Sequence, residues 1–161
     1  MKLLVLSDSH GDLAGMRLAL RRERPDQVLH LGDHAQDAFE LAQEFSTTPI
    51  AYVRGNCDGP FPRCADTFLR KLAGVQVFAA HGHRYGVKSG LLRFFYAARE
   101  NGAALALFGH THCPYCGEEN GLRLVNPGSC RGPYGTYAVI TIENGAVTDC
   151  RIRDVYEEET T

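Results

Sequence analysis

Five clusters of polar residues punctuate the chain, each directly after an apolar run. They are Ser7-Asp8-Ser9-His10, Gly32-Asp33-His34, Gly55-Asn56-Cys57-Asp58, His81-Gly82-His83 and Gly109-His110-Thr111-His112. Singly, each is weak. Asp-x-His recurs by chance, and Gly-Asp and Gly-Asn suit tight bends. His-x-His on an extended segment sends its rings to opposite sides unless the backbone turns. Five such clusters in order, each ending an apolar run, are improbable by chance. Carboxylates, a carboxamide and imidazoles are hard-to-borderline donors suited to Mn, Fe, Zn, Co or Ni. No cysteine holds a core ligand position, which argues against a structural zinc site. An asparagine donor is neutral and leaves a pair of dications under-neutralised, a condition that favours binding an anion.

Clusters of this kind need a scaffold that gathers them. Residues 2–7, 27–31, 50–54, 75–80 and 104–108 read as strands. Asp12 can cap a helix running to about Arg24, with Leu13, Met16 and Leu20 on one face and Pro25 ending it. Residues 35–45 show helical spacing at Ala38, Leu41, Ala42 and Phe45. Residues 89–101 read as a helix capped by Ser89 and stopped near Gly102. Asn120-Gly121 and Asn144-Gly145 are tight-turn pairs between strand-like segments. The first half is therefore βαβ-like and the last third antiparallel, an order that fits a two-sheet core with outer helices. The 161 residues suit a single domain, with residues 157–161 an acidic tail expected to fray. In layered α/β folds the loops past the strand C-termini converge on one rim, so the five clusters are candidates for one site.

Composition narrows the function classes. Hydrophobic residues are 44%, charged residues 22% and the formal net charge is −2. That balance argues against a broad basic surface for duplex nucleic acid. It leaves room for a phosphate substrate, because bound metal ions supply positive charge locally. No apolar run reaches the roughly 20 residues needed to span a bilayer. The segment from Met1 to Leu6 lacks the features of a signal peptide, so a cytoplasmic location is expected. The six cysteines, at 57, 64, 113, 116, 130 and 150, read as free thiols. Cys113-Pro114-Tyr115-Cys116 has redox-dithiol spacing but precedes a turn instead of opening a helix, so incidental thiols are the better reading. His30 reads as a hydrogen-bonded core histidine, His34 as a loop residue, and Asp58 as a cap or orienting group for the Asn56 turn.

The clusters, in this order, resemble the calcineurin-like metallophosphoesterase superfamily. Its pattern is D-x-H, G-D, G-N-[HC]-[DE], a His before Gly, and G-H-x-H. Leu31-Gly32-Asp33 and Asn126-Pro127-Gly128-Ser129 extend the match to the small phosphodiesterases of the YfcE type, over nearly the whole chain. The resemblance implies an α/β fold (α+β in some schemes), a four-layer αββα sandwich of two mixed sheets flanked by helices. It implies two divalent ions, Mn2+ as first choice, with Zn, Fe, Ni or Co as alternatives. One ion would be held by Asp8, His10, Asp33 and His112, the other by Asp33, Asn56, His81 and His110, with Asp33 bridging. It further implies phosphate-ester and phosphodiester hydrolysis by a bridging hydroxide, with Asp33, Asn56, His81 and His110 as the catalytic set.

The chain departs from the wider pattern at Cys57, where many members carry a His that helps protonate the leaving group. Gly32-Asp33 also lacks the Arg-bearing continuation of the protein phosphatases. His83, close to the site in sequence, and Arg131, after the Asn126 turn, are candidates for substrate contact; a solvated side chain is the alternative for Arg131. The expected partner is a small phosphate ester. Neither a membrane nor a polynucleotide is expected, since no basic groove with interleaved aromatics is evident. A homodimer or homotetramer is compatible with the sequence. The competing reading is a non-catalytic metal-binding interaction scaffold of the same fold, as in the retromer subunit. Such scaffolds can lose ligands, whereas all seven positions are occupied here.

Overall fold

The computed structural model describes residues 1–60 and 64–156; the tail expected to fray, residues 157–161, lies outside them. The elements are β1 (Lys2–Leu6), α1 (Leu13–Glu23), β2 (Gln27–His30), α2 (Ala35–Glu44), β3 (Ile50–Tyr52), β4 (Thr67–Leu72), β5 (Val75–Ala80), α3 (Leu92–Glu100), β6 (Leu105–Leu107), β7 (Tyr115–Glu119), β8 (Leu122–Asn126), β9 (Thr136–Glu143) and β10 (Ala146–Asp154). They build two five-stranded mixed sheets, ordered β10-β9-β1-β2-β3 and β4-β5-β6-β8-β7. No helix among the described residues is long and apolar enough to cross a membrane.

The side-chain pattern explains the layering. Leu3 and Val5 of β1 pack between the sheets, while Leu4 and Leu6 pack with Met16 and Leu20 of α1 and Leu41 of α2. In the second sheet Val77, Ala79, Leu105 and Leu107 turn inward, and Phe78, Ala80, Ala106 and Phe108 meet Phe94 and Phe95 of α3. Strands covered on both faces read as unbroken apolar runs, which is why they stand out in the sequence. Leu3, Leu29, Leu105 and Leu107 are fully buried. Each such side chain stabilises the fold by about 1.5–3 kcal/mol, so the inter-sheet layer fixes one sheet against the other. The result is a four-layer αββα sandwich.

Local chemistry sets the element ends. Asp12 Oδ1 accepts the Gly15 N–H at 3.3 Å and caps α1, a contact worth about 1 kcal/mol. Three points differ from expectation. Helix α3 starts at Leu92, not Ser89: Gly90 has φ of 148°, which no helix can continue through, and the Leu91 cap has no side-chain bond. Strand β4 was not foreseen, because its exposed Arg70 and Lys71 interrupt the apolar pattern; charges of this kind protect an edge strand from stray pairing. Both Asn-Gly pairs make the expected turns, with φ of 51° and 75° at Asn120 and Gly121 and 52° and 77° at Asn144 and Gly145. The last third is mixed and not purely antiparallel, however, since β8 also runs parallel to β6.

Strands β1, β2 and β3 run parallel in one sheet, and β5, β6 and β8 run parallel in the other. Their C-terminal ends meet along one rim of the sandwich. His81, just past β5, bonds to the Leu31 carbonyl just past β2, and His110, past β6, bonds to Asp8, past β1.

Candidate metal centre

At this rim the backbone leaves its extended course abruptly. Asp8, His10, Asp33, His110 and His112 adopt φ of 54°, 46°, 56°, 68° and 59°. Left-handed conformations at non-glycine residues cost about 1–3 kcal/mol each and persist only where surrounding contacts enforce them. Those contacts are present. The Asp8 N–H donates to Gly32 O and the Gly109 N–H to His81 O, each at 3.0 Å. The His110 N–H donates to Asp8 Oδ2 at 3.1 Å. The turns solve the problem of alternation, so that Asp8 and His10 face one pocket and both rings of the His-x-His cluster line the rim. Glycine is required where loops cross: a Cβ on Gly55 would collide with the Asp33 carboxylate, and one on Gly109 with Ser7 and Asp8.

Among the described residues, ligand-type atoms form two groups. Those of Asp8, His10, Asp33 and His112 lie within 4.8 Å of one another, as do those of Asp33, His81 and His110. Asp33 belongs to both. Asn56 adjoins the second group, its Oδ1 3.1 Å from His81 Nε2. His112 Nε2 lies 3.1 Å from Asp8 Oδ1, and His81 Nε2 3.4 Å from Asp33 Oδ1. His10 Nε2 is buried yet makes no hydrogen bond, and buried Asp8 Oδ1 has the His112 ring at 3.1 Å but outside hydrogen-bond geometry. Leaving such atoms unsatisfied costs about 1–3 kcal/mol each or more when charged. A divalent cation accepting both oxygen and imidazole donors satisfies them together, so the donor set fits the implied metals.

The electrostatics agree. Leu31 O can only accept, so His81 Nδ1 carries the proton in its 2.8 Å bond to that carbonyl. This aims Nε2 at Asp33. Burial alone would lower the His81 pKa, but the bond to Asp33 and the charges of Asp8 and Asp33 raise it. For Asp33, burial pushes upward, yet the His81 bond and the 2.8 Å bond from the Cys57 N–H hold it below the usual carboxylate range. Both shifts describe one ion pair, and a cation bound by Nε2 would replace its shared proton. Burial, then the neighbouring His81, lowers His110. Asp58 clamps the turns together, accepting the N–H groups of Asp33 at 3.0 Å, Gly55 at 2.7 Å and Ala35 at 2.7 Å.

His30 is the core histidine that the sequence suggests. The Gly32 N–H donates to its Nδ1 at 3.2 Å, so Nε2–H must donate to Ser9 Oγ at 3.0 Å. Ser9 Oγ donates in turn to Asp37 Oδ2 at 2.7 Å, and the Gly11 N–H to the same oxygen at 2.8 Å. This relay ties β2, the Asp8 turn and α2 together. Burial pushes the His30 pKa down to about 4, and the carboxylates of Asp8, Asp37 and Asp58 offset it only in part. The folded value lies below the unfolded one, about 6.5. Between these pH values the unfolded chain binds the extra proton. The His30 contribution is therefore complete above pH 6.5 or so and is lost as pH falls toward 4. Urea unfolding with chelator present should show roughly 2 kcal/mol of stability lost from this group between pH 7 and pH 5. The His30→Gln variant should show a flatter profile over that window; identical slopes would contradict the assignment.

The remaining candidates fall as follows. His83 opens a 3-10 turn (His83–Tyr85), its ring 5.4 Å from that of His81 and 6.1 Å from that of His110. Its Nδ1 is buried without a hydrogen-bond partner. His34 is exposed at the start of α2, 5.4 Å ring to ring from His10. Arg131 is exposed; its backbone N–H meets Ser129 Oγ at 3.3 Å, and no side-chain contact draws it to the site among the described residues. Cys57 is exposed beside Asn56, whose Nδ2 lies 3.4 Å from its sulfur. Sequence reasoning missed the supporting roles of Ser9, Asp37 and Asn126. Buried Asn126 donates from Nδ2 to Gly109 O at 3.1 Å and Thr111 Oγ1 at 2.9 Å, while Ser129 Oγ donates to Asp8 O at 2.8 Å. The visible sign was an Asn-Pro-Gly-Ser turn closing the strand-like segment at residues 122–125.

Comparison with known proteins gives concordant results. The family model for the calcineurin-like phosphoesterase superfamily domain matches residues 1–145. The chain is 35% identical over 156 residues to a probable metallophosphoesterase, YsnB, of Bacillus subtilis, covering 92% of this chain and 88% of that protein. It is 28% identical over 159 residues to phosphodiesterase YfcE of Escherichia coli, covering 84% and 82% respectively. A crystal structure of a predicted phosphoesterase from Streptococcus pneumoniae superposes with a TM-score of 0.78 at 25% identity, covering 98% of this chain and 91% of that one.

Proposed function

The chain belongs to the calcineurin-like phosphoesterase superfamily, and from that premise we propose that it is a phosphodiesterase built on a binuclear metal centre. One observation carries the reading: a single carboxylate, Asp33, belongs to two adjacent groups of ligand-type atoms. Asp8, His10, Asp33 and His112 would hold one ion, and Asp33, Asn56, His81 and His110 the other, with Mn2+ the first choice. Divalent ions held there would supply an activated water and positive charge for a phosphate ester.

The chain's own residues do the rest. Asp33 sets the spacing of the two positions. His81 is locked by the Leu31 carbonyl, so its Nε2 needs no reorientation. Asn56 offers a neutral oxygen, which leaves net positive charge for an anion. Its amide NH2 is free to trade the weak contact with Cys57 for a phosphate oxygen. His83, with an unpartnered Nδ1 beside His81 and His110, is the side chain best placed to hold another phosphate oxygen. The net charge of −2 argues against a broad basic surface and so favours a small substrate.

The test is direct. The purified chain, stripped with chelator and reloaded with Mn2+, should hydrolyse an aryl phosphodiester, and the stripped protein should not. A reloaded protein that binds ions but turns over no diester or monoester would favour the scaffold reading instead.

A further inference from the structure

Strands β7 and β10 are edge strands of opposite sheets, and they approach each other along one side of the sandwich. There Cys116 Sγ and Cys150 Sγ lie 3.0 Å apart, although the residues are 34 positions apart in sequence. That is about 1 Å beyond a covalent S–S bond of about 2.05 Å. Cys116 is exposed, while Cys150 is partly buried against the inter-sheet core. The Cys113-x-x-Cys116 spacing suggests a pair within that run. Among the described residues, however, the sulfur that Cys116 meets is that of Cys150. Cys113 is exposed, and its backbone N–H donates to Thr111 Oγ1 at 3.2 Å.

We propose that Cys116 and Cys150 are a reversible dithiol–disulfide pair that staples the two sheets at this edge, oxidised by a low-molecular-weight disulfide. Cys116, the exposed thiol, attacks one sulfur of the small disulfide. A mixed disulfide forms and one small thiol leaves with the Cys116 proton. Cys150 then attacks Cys116 Sγ, and the second small thiol leaves with the Cys150 proton. Two protein thiols lose two electrons, and one small disulfide becomes two small thiols; excess small thiol reverses both steps. The order follows from exposure. Burial, followed by contact with Cys116, pushes the Cys150 thiol up, so Cys150 is the poorer first nucleophile and the natural resolving one. The closed disulfide restricts the unfolded chain and fixes the strand that receives the backbone after His112.

The experiment treats the full chain with oxidised glutathione, alkylates the remaining thiols, and maps peptides without reduction. Loss of two of the six alkylatable thiols, an intrachain peptide pair containing residues 116 and 150, and a Tm raised on the order of 5–10 °C until dithiothreitol is added are expected. Cys116→Ser and Cys150→Ser should each abolish the cross-link and the Tm rise, and Cys113→Ser neither. Cys116 is exposed, so Cys116→Ser keeps the test readable if Cys150→Ser does not fold. A Cys113–Cys116 linkage, an intermolecular disulfide, or a glutathione adduct that never closes would overturn the proposal.

Discussion

Replacing Asp33 with alanine should remove most turnover and weaken both metal positions at once. Losing a group that merely orients a metal ligand costs about 10–100-fold in affinity or activity. Asp33 is itself common to both groups of ligand-type atoms, so the loss compounds, to about 10³-fold or more in kcat. The variant also leaves His81 with only Asp8, at 3.9 Å, as an ion partner and the Cys57 N–H without an acceptor. Asp33→Asn is therefore the better-folded control: it keeps the acceptor and removes the charge. His110→Ala should behave differently, because His110 belongs to the second group alone. It should retain one tightly held ion and lose the other. Metal content and kcat measured on the three variants check this together. Equal, mild losses in all three would mean that Asp33 is not shared.

The second large effect concerns the leaving group. Cys57 stands where many superfamily members carry a histidine, and a thiol is a weak hydrogen-bond donor to a departing alkoxide. General acid assistance is worth about 10²–10⁴-fold where it operates. Nothing at Cys57 supplies it, so departure of a basic alkoxide should be slow while aryl oxide departs unaided. Across a series of phosphodiesters, kcat/KM should fall by about 10²-fold or more from acidic aryl to simple alkyl leaving groups. Diesters should exceed monoesters, because a singly charged diester needs less neutralisation at an asparagine-containing site. Cys57→His should recover part of the loss for alkyl esters and change aryl esters little. A flat dependence in the parent chain, with no gain in the histidine variant, would contradict this account.

Much of this site was legible before any coordinates. The ligand-type residues are short polar interruptions after apolar runs, and runs buried on two faces have no alternation to hide them. Boundaries were less visible. Gly90, with φ of 148°, delays α3 past the apparent cap at Ser89, and a glycine in sequence does not declare which way it bends. Strand β4 escaped notice because an edge strand with Arg70 and Lys71 outward looks like a loop. The left-handed backbone at Asp8, His10, Asp33, His110 and His112 was not readable at all, since it is enforced by bonds between distant turns. Ser9, Asp37 and Asn126 were missed for a related reason. Their partners lie on other elements, at sequence separations of 28 for Ser9–Asp37 and 17 for Asn126–Gly109. The Cys116–Cys150 approach is the same case: the cysteines read as incidental thiols, and two residues 34 positions apart carry no local spacing signal.

The most direct test of the central claim is to count ions against activity in one preparation. Chelator-stripped protein titrated with Mn2+ should reach its full rate of aryl-diester hydrolysis only as the second equivalent binds, and anomalous scattering should place two ions flanking the Asp33 carboxylate. Full activity with a single bound ion, or with none, would contradict the binuclear account.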